Sequence, residues 1–248
     1  MHRFFVAPEL LAASTSTIML PEKLAHQVRD VLRLALDEQL VLLDNGGDEW
    51  LCAVTRSNRT GVEVTIQERR PGKSESPVRI ILCQGLLKSA RFEWVLEKGT
   101  ELGVASIVPL LCRRSMPGLE EAGPAKIQRW QRIIQEAAEQ CGRARLPELL
   151  SIRPLMHALN DIPPGAIALI PWEEERTTSL RTALQAINRP AEQPATIILF
   201  IGPEGGLTAE EITLARRHGV QSATLGPRIL RAETAALTAI ANIMHELE

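Results

Sequence analysis

The sequence predicts an α/β protein in which a small β-rich unit precedes a mostly parallel sheet with helices on both faces. Three features support this: segments of alternating polarity between residues 39 and 68, a Pro/Gly/Ser-rich interruption from Arg70 to Pro77, and apolar runs beyond it that alternate with helical stretches to the C-terminus. At 248 residues the chain can form one large domain, or a small and a medium one, each with its own core.

In the first unit, Arg3–Val6 reads as a short strand. Leu20–Leu34 reads as a helix, with Leu24, Val28, Val31, Leu32 and Ala35 at helical spacing. Gln39–Asp44, Glu49–Thr55 and Gly61–Glu68 then alternate as half-buried strands do, separated by the turn signals Asn45-Gly46-Gly47 and Ser57–Gly61. A small barrel closing on the N-terminal strand would remove the edges of such a sheet. Arg70–Pro77 has the composition of an exposed linker, which sets the expected domains at residues 1–72 and 78–248.

The second domain reads as strand Val78–Gln84, helix Arg91–Leu102, strand Ser106–Cys112, helix Ala125–Cys141 and strand Ala166–Ile170. Helix Ser179–Ile187, strand Thr196–Ile201, helix Thr208–His218, strand Ser222–Leu225 and helix Glu233–Leu247 complete it. Thr208 with Glu211 forms a capping box, and Pro124 opens a helix that Gly142 stops. Glu93, Glu97 and Glu101 share one helix face opposite Phe92, Val95 and Leu96, the pattern of a solvated face.

Composition narrows the class. With 45% hydrophobic and 23% charged residues, disordered and fibrous classes are excluded. No apolar run matches a bilayer span and the N-terminus lacks leader chemistry, so a cytoplasmic protein with no membrane association is expected. Cys52, Cys83, Cys112 and Cys141 are widely spaced and read as reduced, mostly buried thiols. The five histidines form no ligand cluster, so no metal is expected. A net charge of −2 argues against a protein that coats nucleic acid non-specifically. The charge is nevertheless uneven: Arg79–Arg153 carries twelve Lys/Arg against eight Asp/Glu, and Pro154 onward carries seven against eleven. The basic residues of the middle segment are mainly arginines, whose planar fork suits phosphate, although a solvated helix face explains the count equally well.

Ligands of parallel α/β sheets bind beyond the carboxyl ends of strands. Two strand exits are chemically distinctive. The apolar run Ile197–Ile201 leads into Gly202-Pro203-Glu204-Gly205-Gly206-Leu207, where glycines allow close approach of backbone N–H groups to a ligand. The second exit, Leu225-Gly226-Pro227-Arg228-Ile229-Leu230-Arg231, precedes Glu233, Thr234 and an alanine-rich helix. Tight turns and helix capping account for much of both loops without any ligand. Neither spells a dinucleotide or ATP fingerprint, and no phosphate-reaching lysine is present.

The paired segments IGPEGGLTAEE (Ile201–Glu211) and LGPRILRAETAALTAI (Leu225–Ile240) resemble the signature of the SPOUT methyltransferases, specifically the family that methylates N3 of a uridine in 16S ribosomal RNA. MHRFF at the N-terminus, HQVRDVLRL (His26–Leu34), KSARFEWVLEKGTELGV (Lys88–Val104) and RWQRIIQEAAEQCGR (Arg129–Arg143) are similar to that family in the same order, so the resemblance spans essentially the whole chain.

The resemblance implies a PUA-like RNA-binding barrel, then a SPOUT domain with a trefoil knot, which periodicity alone would never suggest. It implies S-adenosylmethionine as cofactor, held by Ile170, Pro171, Phe200, Ile201, Gly202, Pro203, Gly205, Gly206, Leu225, Gly226, Ile229, Leu230, Thr234 and Ala235. Apolar walls and backbone donors suit adenine and a methionine chain, so the missing phosphate lysine fits. Uracil N3 carries a proton on its pairing edge, so the base must be unpaired and the proton removed. Glu204 and Glu233 are the candidate bases, and Arg231 is placed to stabilise charge on a uracil oxygen. With four Trp, four Phe and no Tyr, stacking is limited, and RNA contacts are expected at Arg3, Arg29, Arg113, Arg114, Arg143 and Arg145. The implied partners are 16S ribosomal RNA or the assembled small subunit and a second copy of the chain.

Two other readings remain open at this level. A non-catalytic RNA-binding assembly factor would share the fold and bind RNA without transferring methyl groups. A nucleotide-binding metabolic enzyme would use the glycine loop for phosphate and respond to ATP or NAD.

Overall fold

The computed structural model describes residues 1–12, 16–118, 123–186 and 195–248, and the chain divides into two compact units. The first comprises Met1–Glu75 together with Ala138–Leu146, and the second Ser76–Ala137 with Pro147–Glu248. Residues 138–146, expected within the second domain, thus belong to the first unit.

The first unit carries strands β1 (His2–Phe5), β2 (Thr17–Met19), β3 (Gln39–Leu43), β4 (Asp48–Asn58) and β5 (Gly61–Pro71), in the sheet order β1-β3-β4-β5-β2. β1 pairs parallel with β3 and the other ladders are antiparallel; among the described residues no ladder joins β1 to β2. Phe4, Ile18, Leu40, Leu42, Val54, Val62 and Val64 alternate inward and form the core. The short helices α1 (Pro8–Ala12) and α2 (Glu22–His26) complete the unit. The helix expected over Leu20–Leu34 is shorter: α2 gives way to a π-helical turn at Gln27–Val31, and Arg33 then takes φ 54°, which ends it.

The stretch expected to be an exposed linker is tied down. The Gly72 N–H donates to Gly47 O at 2.8 Å, Ser74 Oγ donates to Gly142 O at 2.6 Å, and the Glu75 carboxylate receives the amides of Ala144 and Arg145 and the Arg143 guanidinium. A single carboxylate thereby satisfies the amides that follow the long helix.

In the second unit, β6 (Arg79–Gly85), β7 (Ser106–Leu111), β8 (Glu148–Leu149), β9 (Arg153–Pro154), β10 (Ile167–Pro171), β11 (Thr196–Ile201) and β12 (Gln221–Ala223) form a parallel sheet. The order is β12-β10-β11-β6-β7-β8, with β9 also on β7. Successive side chains of each strand point to opposite faces. Ile197, Leu199 and Ile201 therefore join one core, with residues of α3 (Ser89–Glu101), α4 (Pro124–Cys141), α6 (Leu180–Gln185) and α8 (Ala232–Leu247). Ile198 and Phe200 join the opposite core, with α5 (Leu155–Asn160) and α7 (Ala209–Arg217). Phe92 and Trp130 pack in the first core with ring centroids 4.5 Å apart and planes tilted by 40°.

The expected capping box holds α7: Glu211 N donates to Thr208 Oγ1 at 3.3 Å and Thr208 N to Glu211 Oε2 at 2.9 Å. Ile187, the expected end of α6, lies outside the described residues. The short elements α1, β2, β8, β9 and α5 carry too few residues to show a period and were not expected. Cys52 and Cys83 are buried and Cys112 and Cys141 half-buried, all four as free thiols; burial pushes Cys52, Cys83 and Cys112 up to about 12. Among the described residues no helix is long and apolar enough to cross a membrane.

Backbone packing at the end of β6 leaves no room for a side chain. A Cβ on Gly85 would lie 2.5 Å from Pro203 N and 2.7 Å from Gly202 C, whereas one on Gly99, inside α3, would meet Val104 Cγ2 at 3.7 Å and Leu82 Cδ2 at 4.0 Å, both ordinary contacts. Gly85→Ala is expected to destabilise the fold by about 1–3 kcal/mol, because the obstacle is backbone. Gly99→Ala is expected to stabilise it by roughly 0.5–1 kcal/mol through helix propensity. Urea unfolding midpoints of the two variants check the opposite signs.

Candidate active site

Because the sheet is parallel, the carboxyl ends of β10, β11 and β12 lie on one edge, and their exit loops meet there. They enclose a cavity of about 270 Å³ together with the start of α8 and Arg91 of α3. β10 contributes Pro171, Trp172, Glu173 and Arg176. β11 contributes Ile201, Gly202, Pro203, Glu204, Gly206 and Leu207. The β12 exit contributes Thr224 through Arg231, and α8 contributes Ala232, Glu233 and Ala235. The two glycine loops, some twenty residues apart in sequence, are neighbouring walls of one site.

Of the residues expected at the cofactor, Pro171, Ile201, Gly202, Pro203, Gly206, Leu225, Gly226, Ile229, Leu230 and Ala235 line this cavity. Ile170, Phe200, Gly205 and Thr234 do not. Ile170 and Phe200 point to the opposite face of the sheet and are buried in its core, as strand alternation requires. Gly205 packs against Arg114: a Cβ there would lie 2.8 Å from Arg114 Cβ, and Arg114 Nη1 donates to Gly205 O at 3.1 Å. Thr234 is on the exposed side of α8. Backbone conformation explains the second glycine loop, since Gly226 takes φ 114°. The amides of Leu225, Ile229 and Leu230 donate to no protein acceptor among the described residues, and Ile229 is 80% exposed.

All three residues expected in catalysis line the cavity. Glu204 Oε1 accepts the Lys88 amide at 3.0 Å and lies 3.5 Å from Arg91 Nη1. Glu233, 8% exposed, places Oε1 3.6 Å from Arg91 Nε, while its buried Oε2 has no hydrogen-bond partner among the described residues. Arg231 is the N-cap residue of α8; it is exposed and, among the described residues, has no ion-pair partner.

Arg91, Trp172, Arg176 and Arg228 also line the cavity but were not among the expected site residues. Arg91 was the most accessible to sequence reasoning, because it falls in the KSARFEW segment. Behind Trp172 lies a buried polar knot. Glu175 accepts Ser222 Oγ at 2.6 Å, Thr177 Oγ1 at 2.5 Å, the Thr177 amide at 2.9 Å and Arg216 Nη2 at 3.1 Å, and Arg216 lies over the Trp172 ring at 5.6 Å. The hydrogen bond from Ser222, followed by those from Thr177, holds the Glu175 carboxyl down at about 2.

The arginines expected at RNA have different surroundings. Arg113 and Arg114 are exposed in the loop after β7, with Arg113 Nη1 3.8 Å from Glu210 Oε2. Arg29 is bound to Asp30 and to Asn58 O, Arg3 is paired with Glu49, and Arg145 donates to Gly46 O. Arg143 corrects the expectation: at 5% exposure, with its guanidinium on Glu75, it is an internal cation that holds the chain after α4. Glu93 is engaged by Arg129, and Lys98 bridges Glu97 and Glu101, so the acidic face of α3 is neutralised locally.

A protein-family profile for the RNA methyltransferase domain matches residues 74–244, and one for the RNA methyltransferase PUA domain matches residues 26–67. The fold and site are those of an RNA methyltransferase carrying a PUA domain. Among curated relatives, the ribosomal RNA small subunit methyltransferase E of Bacillus subtilis is 30% identical, covering 100% of this chain and 98% of the relative. That of Synechocystis is 34% identical, covering 100% and 78%. The crystal structure of the Neisseria gonorrhoeae ribosomal RNA small subunit methyltransferase E, bound to S-adenosylmethionine, superposes with a TM-score of 0.87 at 33% identity, covering 99% of this chain and 97% of that one. A Legionella pneumophila methyltransferase structure with the same cofactor gives 0.83 at 32% identity, covering 99% and 97%. This chain belongs to the ribosomal RNA small subunit methyltransferase E family.

The Glu175 network has a definite pH signature. Its carboxyl is depressed in the fold, so the stability it contributes is complete above the ordinary value of 4.5 and is lost as pH falls toward about 2. Glu175→Gln is expected to lower stability at neutral pH by roughly 1.5–3 kcal/mol and to flatten the acid limb of stability against pH in that window. Thermal unfolding from pH 7 down to pH 2 checks it; an acid limb as steep as wild type would assign the loss to other carboxylates.

Proposed function

We propose that this protein transfers a methyl group from S-adenosylmethionine to N3 of a uridine in 16S ribosomal RNA, acting on the RNA or on the assembled small subunit. The observation that carries this reading is the convergence of both glycine loops and the start of α8 on one cavity, in a chain that matches its family over its full length.

The residues present fit the cofactor. The cavity offers apolar surfaces from Pro171, Ile201, Leu225, Ile229 and Leu230, together with unpaired backbone amides, and no phosphate cradle. Ile201–Pro203, Gly206, Leu225, Gly226, Ile229, Leu230, Pro171 and Ala235 hold it by direct contact. Ile170 and Phe200 support that wall from the core behind, Gly205 keeps the loop against Arg114, and Thr234 acts through the first turn of α8. When bound, the cofactor supplies an electrophilic methyl group, so the chain's own work is to position the uracil, exclude water and remove the N3 proton. Arg231 faces a uracil oxygen and stabilises the charge that develops there, and a cavity carboxylate, Glu204 or Glu233, accepts the proton.

Within the same reading, the second unit contains the trefoil knot of the SPOUT fold. The strand order β12-β10-β11-β6-β7, and the return of α8 to pack on α3 and α6, support this. The first unit is a PUA-like barrel, with β1 and β2 as the strands that approach closure. Arg113 and Arg114, with Arg3, Arg29 and Arg145, contact RNA phosphate. The protein works in the cytoplasm as a homodimer and without a metal.

S-adenosylhomocysteine is expected to raise the thermal unfolding midpoint while ATP and NAD leave it unchanged. 3-Methyluridine should appear in small-subunit RNA treated with enzyme and cofactor, as read by nuclease digestion and mass spectrometry. Stabilisation by ATP or NAD alone would overturn the reading. Arg231→Ala is expected to lower methyl transfer by roughly 100-fold or more at unchanged thermal stability, because its side chain has no partner among the described residues; a wild-type rate would remove Arg231 from the mechanism.

A further inference from the structure

We infer that Glu233, rather than Glu204, takes the proton that leaves uracil N3, and that Arg91 is the residue that positions Glu233 for this step; the inference rests on the uridine-N3 reading above. Two carboxylates line the cavity, and their surroundings are unequal. The Glu204 carboxylate is already committed to the fold. Its Oε1 accepts the amide of Lys88, the N-cap residue of α3, whose side chain caps nothing. Helix N-termini leave amides without intrahelical acceptors, so Glu204 acts as the cap that Lys88 cannot supply.

Glu233 is the more buried of the two, with its side chain 11% exposed against 22% for Glu204. Among the described residues, its only charged neighbour within ion-pair distance is Arg91, whose Nε lies 3.6 Å from Oε1, beyond hydrogen-bond length. Its Oε2 is buried and, among the described residues, has no hydrogen-bond partner. A buried carboxylate left this unsatisfied is costly unless a donor arrives, and the ligand cavity is where one can. The N–H of uracil N3 is such a donor. The same Arg91 guanidinium lies 3.5 Å from Glu204 Oε1, so it bridges both carboxylates and fixes the rotamer of Glu233 through the attraction on Oε1, leaving Oε2 for the ligand.

The step balances. The N3–H bond breaks and its proton goes to Glu233 Oε2; the pair left on N3 forms the N–CH3 bond; the S–CH3 bonding pair stays on sulfur, giving the neutral thioether product. The charged groups around Glu233 are Arg91 from α3, Glu204 from the loop after β11, Arg231 and Arg228 from the loop after β12, and Arg176 and Glu173 from the loop after β10. Cations outnumber anions among these cavity-lining groups.

The test compares Glu233→Gln, Glu204→Gln, Arg91→Ala and Arg91→Lys with wild type in single-turnover methylation of small-subunit RNA, with S-adenosylhomocysteine affinity measured by calorimetry in parallel. Glu233→Gln is expected to slow methyl transfer by at least about 100-fold with unchanged S-adenosylhomocysteine affinity. Its rate should climb with pH, as solvent takes over removal of the N3 proton. It should also be selectively rescued by RNA carrying 5-fluorouridine at the target, whose N3–H is more acidic. Glu204→Gln is expected to show neither rescue. Arg91→Ala should slow methyl transfer and share the selective 5-fluorouridine rescue of Glu233→Gln, because the carboxylate is no longer held in place, and Arg91→Lys should restore part of the rate. A Glu233→Gln rate near wild type, or a loss with neither pH nor fluorouridine rescue, overturns the inference. A fall in S-adenosylhomocysteine affinity alone assigns Glu233 to the cofactor and overturns it as well. Absence of 3-methyluridine with the wild-type enzyme is a separate result, and sinks the underlying reading instead.

Discussion

The functional end of this protein depends on one constraint, the parallel pairing of β11 with β10 on one side and β6 on the other. A strand flanked by two parallel neighbours must bury both faces, and TIILFI does so with no polar residue after its first. The same pairing brings the carboxyl end of β11 level with that of β10. Gly202 and Pro203 then sit so close to Gly85 that a methyl group at residue 85 has no space. The first wall of the cavity is therefore set by backbone packing before any site side chain is considered.

The second wall depends on the first through short hydrogen bonds at the sheet edge. β12 has only three residues, too few to hold its exit loop through strand pairing alone. The chain compensates by bonding that exit to the loop after β10: Trp172 N donates to Ala223 O at 3.0 Å, Thr224 N to Thr178 O at 2.8 Å and Leu180 N to Thr224 O at 3.1 Å. The Glu175 carboxylate locks the underside by reaching Ser222 and Arg216 from that same loop. A buried acid with this many donors is stable as an anion, and its removal would loosen both loops together. Position in the Glu-rich run at 173–175 does not separate Glu175, which is buried, from Glu173 and Glu174, which are exposed.

Much of the architecture was legible because the signals were long and periodic. The strands and helices of the second unit follow the expected segments closely, since runs such as Ile197–Ile201 and the Thr208/Glu211 box each have one physical reading. What was not legible has specific causes. Arg70–Pro77 has a linker's composition, yet the Gly72 amide is used by Gly47, and the Ser74 hydroxyl and Glu75 carboxylate are used by the segment after α4, some seventy residues away. Arg143 reads as a phosphate-binding arginine in sequence, and only the position of Glu75 shows that it is internal. Ile170 and Phe200 were expected at the cofactor with their neighbours, and strand alternation sends their side chains to the other face, so only their backbone is on the cavity side. Arg91 lies on a helix far from either glycine loop in sequence, and its place in the cavity follows from where α3 packs.

Charge illustrates the same separation between composition and placement. A chain with a formal net charge of −2 has no general attraction for RNA. In the second unit, Arg129, Arg153 and Arg181 are each held by a carboxylate and contribute little field beyond their own pairs. Arg176, Arg228 and Arg231 differ: all three line the cavity and, among the described residues, none has a carboxylate within ion-pair distance. Their charge is left for a ligand, and it converges where the two glycine loops meet. The positive field is thus focused at one cavity rather than over the surface at large, and Glu233, which lines the same cavity, has a buried Oε2 that lacks a donor among the described residues. The cations at the rim and the unsatisfied acceptor in the wall are opposite in charge and share one cavity.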